Sequence, residues 1–164
     1  MVYGHILTDL KEKKMQKSDY HFFWGGVFSN FHPINSDGFT SEHLYMNAKA
    51  LFFGDKESSL KILSAATPKD AKKLGRKVKN FDQKAWDDVK MTAMIISLQY
   101  KLLACPEFYR ELMSTGDKIL VEASPYDKIW GIGMKEDDPN ILKTELWGEN
   151  LLGKCLMIVR RDNK

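Results

Sequence analysis

The sequence predicts an α+β fold, mostly helical with a small sheet, on three observations. Capping residues stand ahead of apolar stripes at several points between residues 40 and 160, only two short runs have strand character, and no repeat, low-complexity tract or Pro/Gly-rich linker divides the chain. With 164 residues, 43% apolar and 12% aromatic, the chain can bury one sizeable core.

Along the chain, residues 11–17 (KEKKMQK) form a charge run expected to be a solvated turn or helix end. Residues 21–24 (HFFW) suit a short strand that stops at Gly25-Gly26, and Asp37-Gly38 marks a hairpin turn. A helix should follow, capped by Thr40 or Ser41, with Glu42 in its first turn, Leu44, Ala48, Leu51 and Phe52 as its apolar stripe, and Gly54 as its end. A second short helix is expected over 57–63. A third starts at Pro68 behind Thr67 and runs to about residue 78. The strongest helix spans 84–104, where Trp86, Val89, Ala93, Ile96, Tyr100 and Leu103 recur at spacings of three and four and predict a core-facing stripe. Helix 107–113, a β-branched strand at 119–122, an irregular loop rich in Pro and Gly, and a closing helix over 150–160 complete the expectation.

Composition excludes several classes. The stretch 91–104 is interrupted by Thr92, Ser97, Gln99 and Lys101 and is shorter than the roughly 20 residues of a membrane span, so it reads as a buried helix. Charge follows the N-terminus too closely for a secretory apolar segment, and a cytoplasmic location is expected. Cys105 and Cys155 stand apart with no neighbouring ligand pattern, and His5, His21, His32 and His43 show none either; free thiols and no metal site are expected. The net charge of +3 is too modest to indicate a nucleic-acid protein, and the bases among residues 69–79 and at Lys154, Arg160 and Arg161 are separated by acids and apolar residues.

Three groups of residues could carry chemistry. On the first helix, seven steps of about 100° bring Glu42 and Lys49 onto one face, roughly 10 Å apart along the axis, so that a carboxylate and an amine could flank one small substrate. A surface helix with a first-turn acid and a late lysine has the same spacing. In the run from Ser124 to Gly133, Asp127 offers a carboxylate, Trp130 a flat face, and Gly131 and Gly133 a backbone that can approach a ligand; a tight loop that buries its Trp would need the same residues. At Trp147-Gly148-Glu149-Asn150 the start of the last helix could present N–H groups to a phosphate, or Asn150 could cap it.

Taken in order, FSNF ending at Phe31, SEHLYMNAKA from Ser41, AKKLGRKV from Ala71, LVEASPYDKIWGIG from Leu120 and WGENLLGKCLMIVR from Trp147 resemble the YbiA-like, or NADAR, N-glycosidase family over about residues 20–161. That resemblance implies one YbiA-like domain over 20–164, behind an extension, residues 1–19, of unknown role. It also implies cleavage of an N-glycosidic bond to ribose, either in ADP-ribose, including ADP-ribose carried on guanine in DNA or nucleotides, or in phosphorylated intermediates of early riboflavin biosynthesis. Lys49 matches the lysine held to attack the anomeric carbon and form a Schiff base, and Glu42 its acidic partner. Asp127 becomes a second acid or a ribose anchor. Ser29, Asn30 and Phe31 would line the entrance, with Trp130, Gly131, Gly148 and Asn150 around the substrate and Trp86 either stacked on it or buried. Neither cofactor nor metal is required. A non-catalytic module that binds NAD or ADP-ribose in the same pocket is the competing expectation.

Overall fold

Thr40 begins the first long helix as its chemistry dictates. Its backbone is extended, its Oγ1 accepts the N–H of His43, and α1 runs over Ser41–Phe52 before Gly54, at φ +73°, turns the chain away. His43 completes the cap from the other side: Nδ1 accepts the Thr40 N–H (3.2 Å) and hydroxyl (2.8 Å), which assigns the remaining proton to Nε2, where it is donated to the Ala65 carbonyl (3.0 Å). Among the residues described by the computed structural model, 14–164, five further helices follow: α2 Lys56–Leu63, α3 Pro68–Gly75, α4 Gln83–Ala104, α5 Pro106–Ser114 and α6 Leu151–Asp162. Asp55, Thr67 and Asp82 cap α2, α3 and α4 through side-chain oxygens that accept backbone N–H groups. Hydrogen bonds from the Lys79 and Ser58 backbone hold the Asp55 carboxyl down to about 2.

The α+β expectation holds, with a smaller sheet than most such folds: β1, Tyr20–Phe23, pairs in parallel with β2, Ile119–Glu122, Tyr20 opposite Ile119 and Phe23 opposite Glu122. Both faces of the pair are covered, as parallel strands require. Phe23 and Leu120 face the main core with α1, α4 and α6, whereas Tyr20 and Val121 face a smaller cluster built with Ile132, Ile141 and Trp147. By this period-two alternation Glu122 shares the inner face with Leu120. The turn at Gly38 (φ +80°) is closed by an isolated antiparallel bridge between Pro33 and Thr40. Residues 14–18 are exposed and a 3-10 turn spans Lys17–Asp19; residues 11–13 of the charge run lie outside the described residues.

Three expectations about the helices need correction. On α1, Leu51 and Phe52 of the expected stripe are 54% and 49% exposed, and Tyr45, Met46 and Ala50 are buried instead. Helix α3 ends at Gly75 rather than near residue 78, because the chain tightens there: Lys77 N–H bonds the Leu74 carbonyl (2.9 Å), and the segment turns so that Lys79 N–H reaches Asp55. The stripe assigned to α4 has the wrong phase at its C-terminal end, for Ile96, Tyr100 and Leu103 are 64%, 50% and 86% exposed. Buried in their place are Met94, Ser97, Leu98, Lys101 and Leu102. Lys101 can lie inside because its ammonium donates to the carbonyls of Val27 (2.6 Å) and Ser29 (2.9 Å) and sits 4.7 Å from the Phe108 ring centre. Burial lowers its pKa to about 8. Among the described residues no helix is long and apolar enough to cross a membrane.

Helices α1 and α3 cross where Gly75 meets Met46. A Cβ on Gly75 would overlap the Met46 sulfur and lie 3.2 Å from its Cβ. Gly75→Ala is therefore expected to lower stability by about 1–3 kcal/mol through overpacking, read as a fall in Tm. An unchanged Tm would mean that Met46 rotates away freely.

Candidate active site

The inner face of the sheet, α1, α3 and the loop after β2 enclose a cavity of about 100 Å³. Cavities that enclose whole drug-sized ligands hold about 300–1,000 Å³, so this one encloses a piece the size of a sugar and leaves the rest of any larger ligand on the rim. Its walls carry three carboxyls, Glu42 from α1, Glu122 from the end of β2 and Asp127 from the following loop, together with one cation, Lys72 of α3. Tyr45 and Trp130 form an aromatic wall, their ring centres 5.2 Å apart and nearly perpendicular.

Each acid is set by its local chain. Glu42 is fixed by the start of α1, where its own N–H donates to the Asn30 carbonyl (3.1 Å) and the neighbouring Ser41 hydroxyl donates to Asn30 Oδ1 (2.9 Å). These bonds tie the segment Ser29-Asn30-Phe31, which lines one side of the cavity, to the helix; Lys101 holds the same segment from below. Burial, with Asp127 adding repulsion, raises the Glu42 pKa to about 7 against the opposing pull of Lys72 and Arg76. Glu122 is likewise raised to about 7, first by burial and then by Asp127 and Glu42. Asp127 has one oxygen already engaged, Oδ1 accepting the N–H groups of Ile129 (2.9 Å) and Trp130 (2.8 Å) in a turn that aims the loop.

Two cations act on this acidic site: Lys72 lines it, and Arg76, one turn beyond on the same face, acts electrostatically on both Glu42 and Lys49. Among the described residues neither of them, nor Lys49, is in an ion pair. Lys49 is half-buried and lies outside the cavity lining, with its Nζ 4.2 Å from the centre of the Phe81 ring. Burial first and Arg76 second lower its pKa, the direction a nucleophilic amine needs.

The other residues singled out from sequence take up supporting positions. Trp86 is buried against Tyr45, Phe52 and Phe53. Gly131 passes so close to the backbone oxygens of Glu122 and Asp127 that a Cβ would lie 2.8 and 3.0 Å from them. Asn150, at φ +53°, does not cap α6 with its side chain; it bonds β2, Oδ1 accepting the Glu122 N–H (3.0 Å) and Nδ2 donating to the Leu120 carbonyl (2.9 Å). The first N–H groups of α6 are not open to a phosphate, since Leu151 and Leu152 donate to the carbonyls of Ile129 and Trp130 at 3.1 and 3.0 Å. Sequence reasoning passed over Glu122, Lys72, Arg76 and Tyr45. For Glu122 the alternation ties it to the face of Leu120 but does not say which face turns inward.

Gly148 packs on the Lys128 backbone, and a Cβ there would lie 2.6 Å from Lys128 Cα. Gly148→Ala is expected to displace the peptide next to Asp127, lowering stability by about 1–3 kcal/mol and turnover with it. A variant that melts and turns over like wild type would show that this loop can give way without moving the acid.

The NADAR domain family model matches residues 16–162. The chain belongs to the NADAR family. It is 34% identical to an N-glycosidase of Acanthamoeba polyphaga mimivirus over 92% of this chain and 99% of that protein, and 37% identical to an N-glycosidase of Nostoc punctiforme over 84% and 85%. A chloroplastic riboflavin biosynthesis protein of Zea mays is 30% identical over 84% of this chain, which corresponds to only 23% of that longer protein. The NADAR fold is also that of the NMR structure of Escherichia coli YbiA, with a TM-score of 0.68 and 29% identity over 93% of this chain and 89% of the other.

Proposed function

We propose that this chain is an N-glycosidase that releases a nitrogenous base from a phosphorylated riboside, with ADP-ribose attached to guanine as its leading substrate and a Schiff base on Lys49 as the intermediate. The observation that carries this reading is the sugar-sized cavity in which Glu42 is raised to about 7 beside two more carboxyls, with Lys72 in the lining and Arg76 acting on Glu42. A ribose fits the acids and its phosphates fit Lys72 and Arg76. The N-glycosidase names of the mimivirus and Nostoc relatives support the reaction class.

In the proposed sequence Glu42, protonated, gives its proton to the departing base as the C1–N bond breaks. Lys49 swings from Phe81, past Arg76, and its neutral amine forms the new bond to C1; one amine proton passes to the ring oxygen as the bond from that oxygen to C1 breaks, which opens the sugar and leaves a protonated Schiff base. Glu42, now ionised, takes a proton from water as the hydroxide adds to C1; the proton of the new hydroxyl then passes to the nitrogen as the C1–N bond breaks, leaving neutral Lys49, protonated Glu42 and the open aldehyde sugar, which recloses. Asp127, with Oδ1 already occupied by backbone, keeps its other oxygen for the sugar or for water.

The test is mass spectrometry of the protein incubated with a guanine-ADP-ribosylated oligonucleotide, with and without borohydride. The expected result is free guanine in the oligonucleotide and, after reduction, a ribosyl adduct on Lys49. Base release without an adduct would remove the Schiff base and leave the glycosidase. No release from this oligonucleotide or from ribosylated riboflavin precursors would remove both and favour a binding module. The second substrate group, phosphorylated intermediates of early riboflavin biosynthesis, is supported by the name of the maize relative.

A further inference from the structure

The proton transfers proposed above leave one acid of the cavity unused. Glu122 ends β2 with its main chain pinned on both sides, its N–H bonded to Asn150 Oδ1 (3.0 Å) and its carbonyl accepting from Ile132 N–H (2.9 Å). Its side chain therefore enters the cavity from a rigid strand end. Among the described residues, Oε2 of Glu122 is the buried side-chain polar atom without a hydrogen-bond partner. A buried oxygen left in that state destabilises the fold, and a ligand group that pairs with it is the usual compensation at a site.

The surroundings decide what that group is. Glu42 and Asp127 stand beside Glu122, so an anionic phosphate is repelled from this end and belongs with Lys72 and Arg76 at the rim. A volume of about 100 Å³ leaves no room for a base as well as a sugar. A sugar hydroxyl both donates and accepts, so it satisfies the carboxyl in either protonation state. We infer that Glu122 binds the 2′-hydroxyl of the ribose, adjacent to the carbon at which Glu42 and Lys49 act, and so makes the cavity selective for ribosides over 2′-deoxyribosides.

This inference rests on the reading of the cavity as a ribose site, and it can be tested without turnover. Binding of ribose 5-phosphate and 2-deoxyribose 5-phosphate is measured by calorimetry on the full chain, on Glu122→Ala and on Glu122→Gln, with a thermal melt of each. A site built around a substrate hydroxyl rejects the analogue lacking it strongly, so wild type should prefer ribose by about 100-fold or more. In Glu122→Ala that preference should shrink to about 3-fold by loss of ribose binding alone, while Glu122→Gln, which still accepts a hydrogen bond, keeps part of it. Equal binding of both sugars by wild type, binding of neither, or an equal loss for both in a variant that melts normally would overturn the assignment. Selective ribose binding without release of any base would instead leave Glu122 in this role and remove the glycosidase.

Discussion

Glu42→Gln is expected to do two opposite things, cutting turnover by about 10²–10⁴-fold, the usual contribution of a positioned acid, while raising the melting temperature at pH 8. Burial raises the folded-state pKa of Glu42 from 4.5 to about 7. A group raised in this way contributes its full stability below its unfolded pKa and loses it as pH rises through the folded value. Above pH 7 the fold holds a buried carboxylate, at a cost on the order of 3–4 kcal/mol from about 1.4 kcal/mol per pKa unit. Glutamine has the same shape and no charge to bury, so the gain should be present at pH 8 and absent near pH 4. Thermal melts at the two pH values check this. A gain of equal size at both would mean that packing, not ionisation, is responsible. The same pKa predicts that wild-type kcat falls as pH rises above about 7 and the donor proton is lost.

Lys49→Ala should cost activity and leave stability almost unchanged. Loss of the proposed nucleophile should cost on the order of 10³-fold or more in kcat and abolish borohydride trapping. The fold should hardly notice, because Lys49 is half-buried and its contact with Phe81 is a cation–π pair of the partly exposed kind, worth about 0.5–1 kcal/mol. A stable variant with wild-type turnover would remove Lys49 from the chemistry. Arg76→Gln tests how the amine is prepared. With the guanidinium gone the Lys49 ammonium is no longer repelled, its pKa rises, and the pH at which adduct formation is half-maximal should move upward. A shift downward, or none, would mean that burial alone sets the amine.

Much of the architecture was legible because its signals are local. Thr40 before α1, Pro68 behind Thr67 and Pro106 at the head of α5 mark helix starts through the chemistry of a few adjacent residues, and the structure places the starts there. The phase of α4 was not legible in the same way. Apolar residues occur around most of that helix, Met91, Met94, Ile95, Leu98 and Leu102 beside the stripe assigned to it, so periodicity could not decide which face α1 and α6 would cover. The burial of Lys101 depends on carbonyls at Val27 and Ser29, far away in sequence, and no local pattern announces such a partner.

At the site, the blocks around Glu42 and Asp127 stood out because helical spacing puts Glu42 and Lys49 on one face and because the Pro/Gly-rich loop gathers a carboxylate, an aromatic face and glycines. The structure brings Ser29, Asn30, Phe31, Glu42, Asp127 and Trp130 to one cavity, and leaves Trp86, Gly131, Gly148 and Asn150 in the framework behind it. Glu122 escaped notice because a lone acid at the end of a β-branched run reads as the strand's exit into solvent. Only the pairing of β2 with β1, and the Asn150 side chain bonded along β2, turn that exit inward.

The parallel pairing of β1 with β2 also bears on how the molecule acquires its activity. Tyr20 and Ile119 bracket most of the chain, so this ladder closes a very long loop and is among the last contacts that folding can reward. Glu122 and Asp127 reach Glu42 only when that closure is made. A nascent chain still short of β2 is thus without a complete acid cluster whatever helices it has formed. In the finished protein, amide hydrogen exchange at Leu120 and Val121 should report the same opening event that disperses the carboxyls, so substrate or product bound there should slow exchange in the strands as well as at the cavity wall.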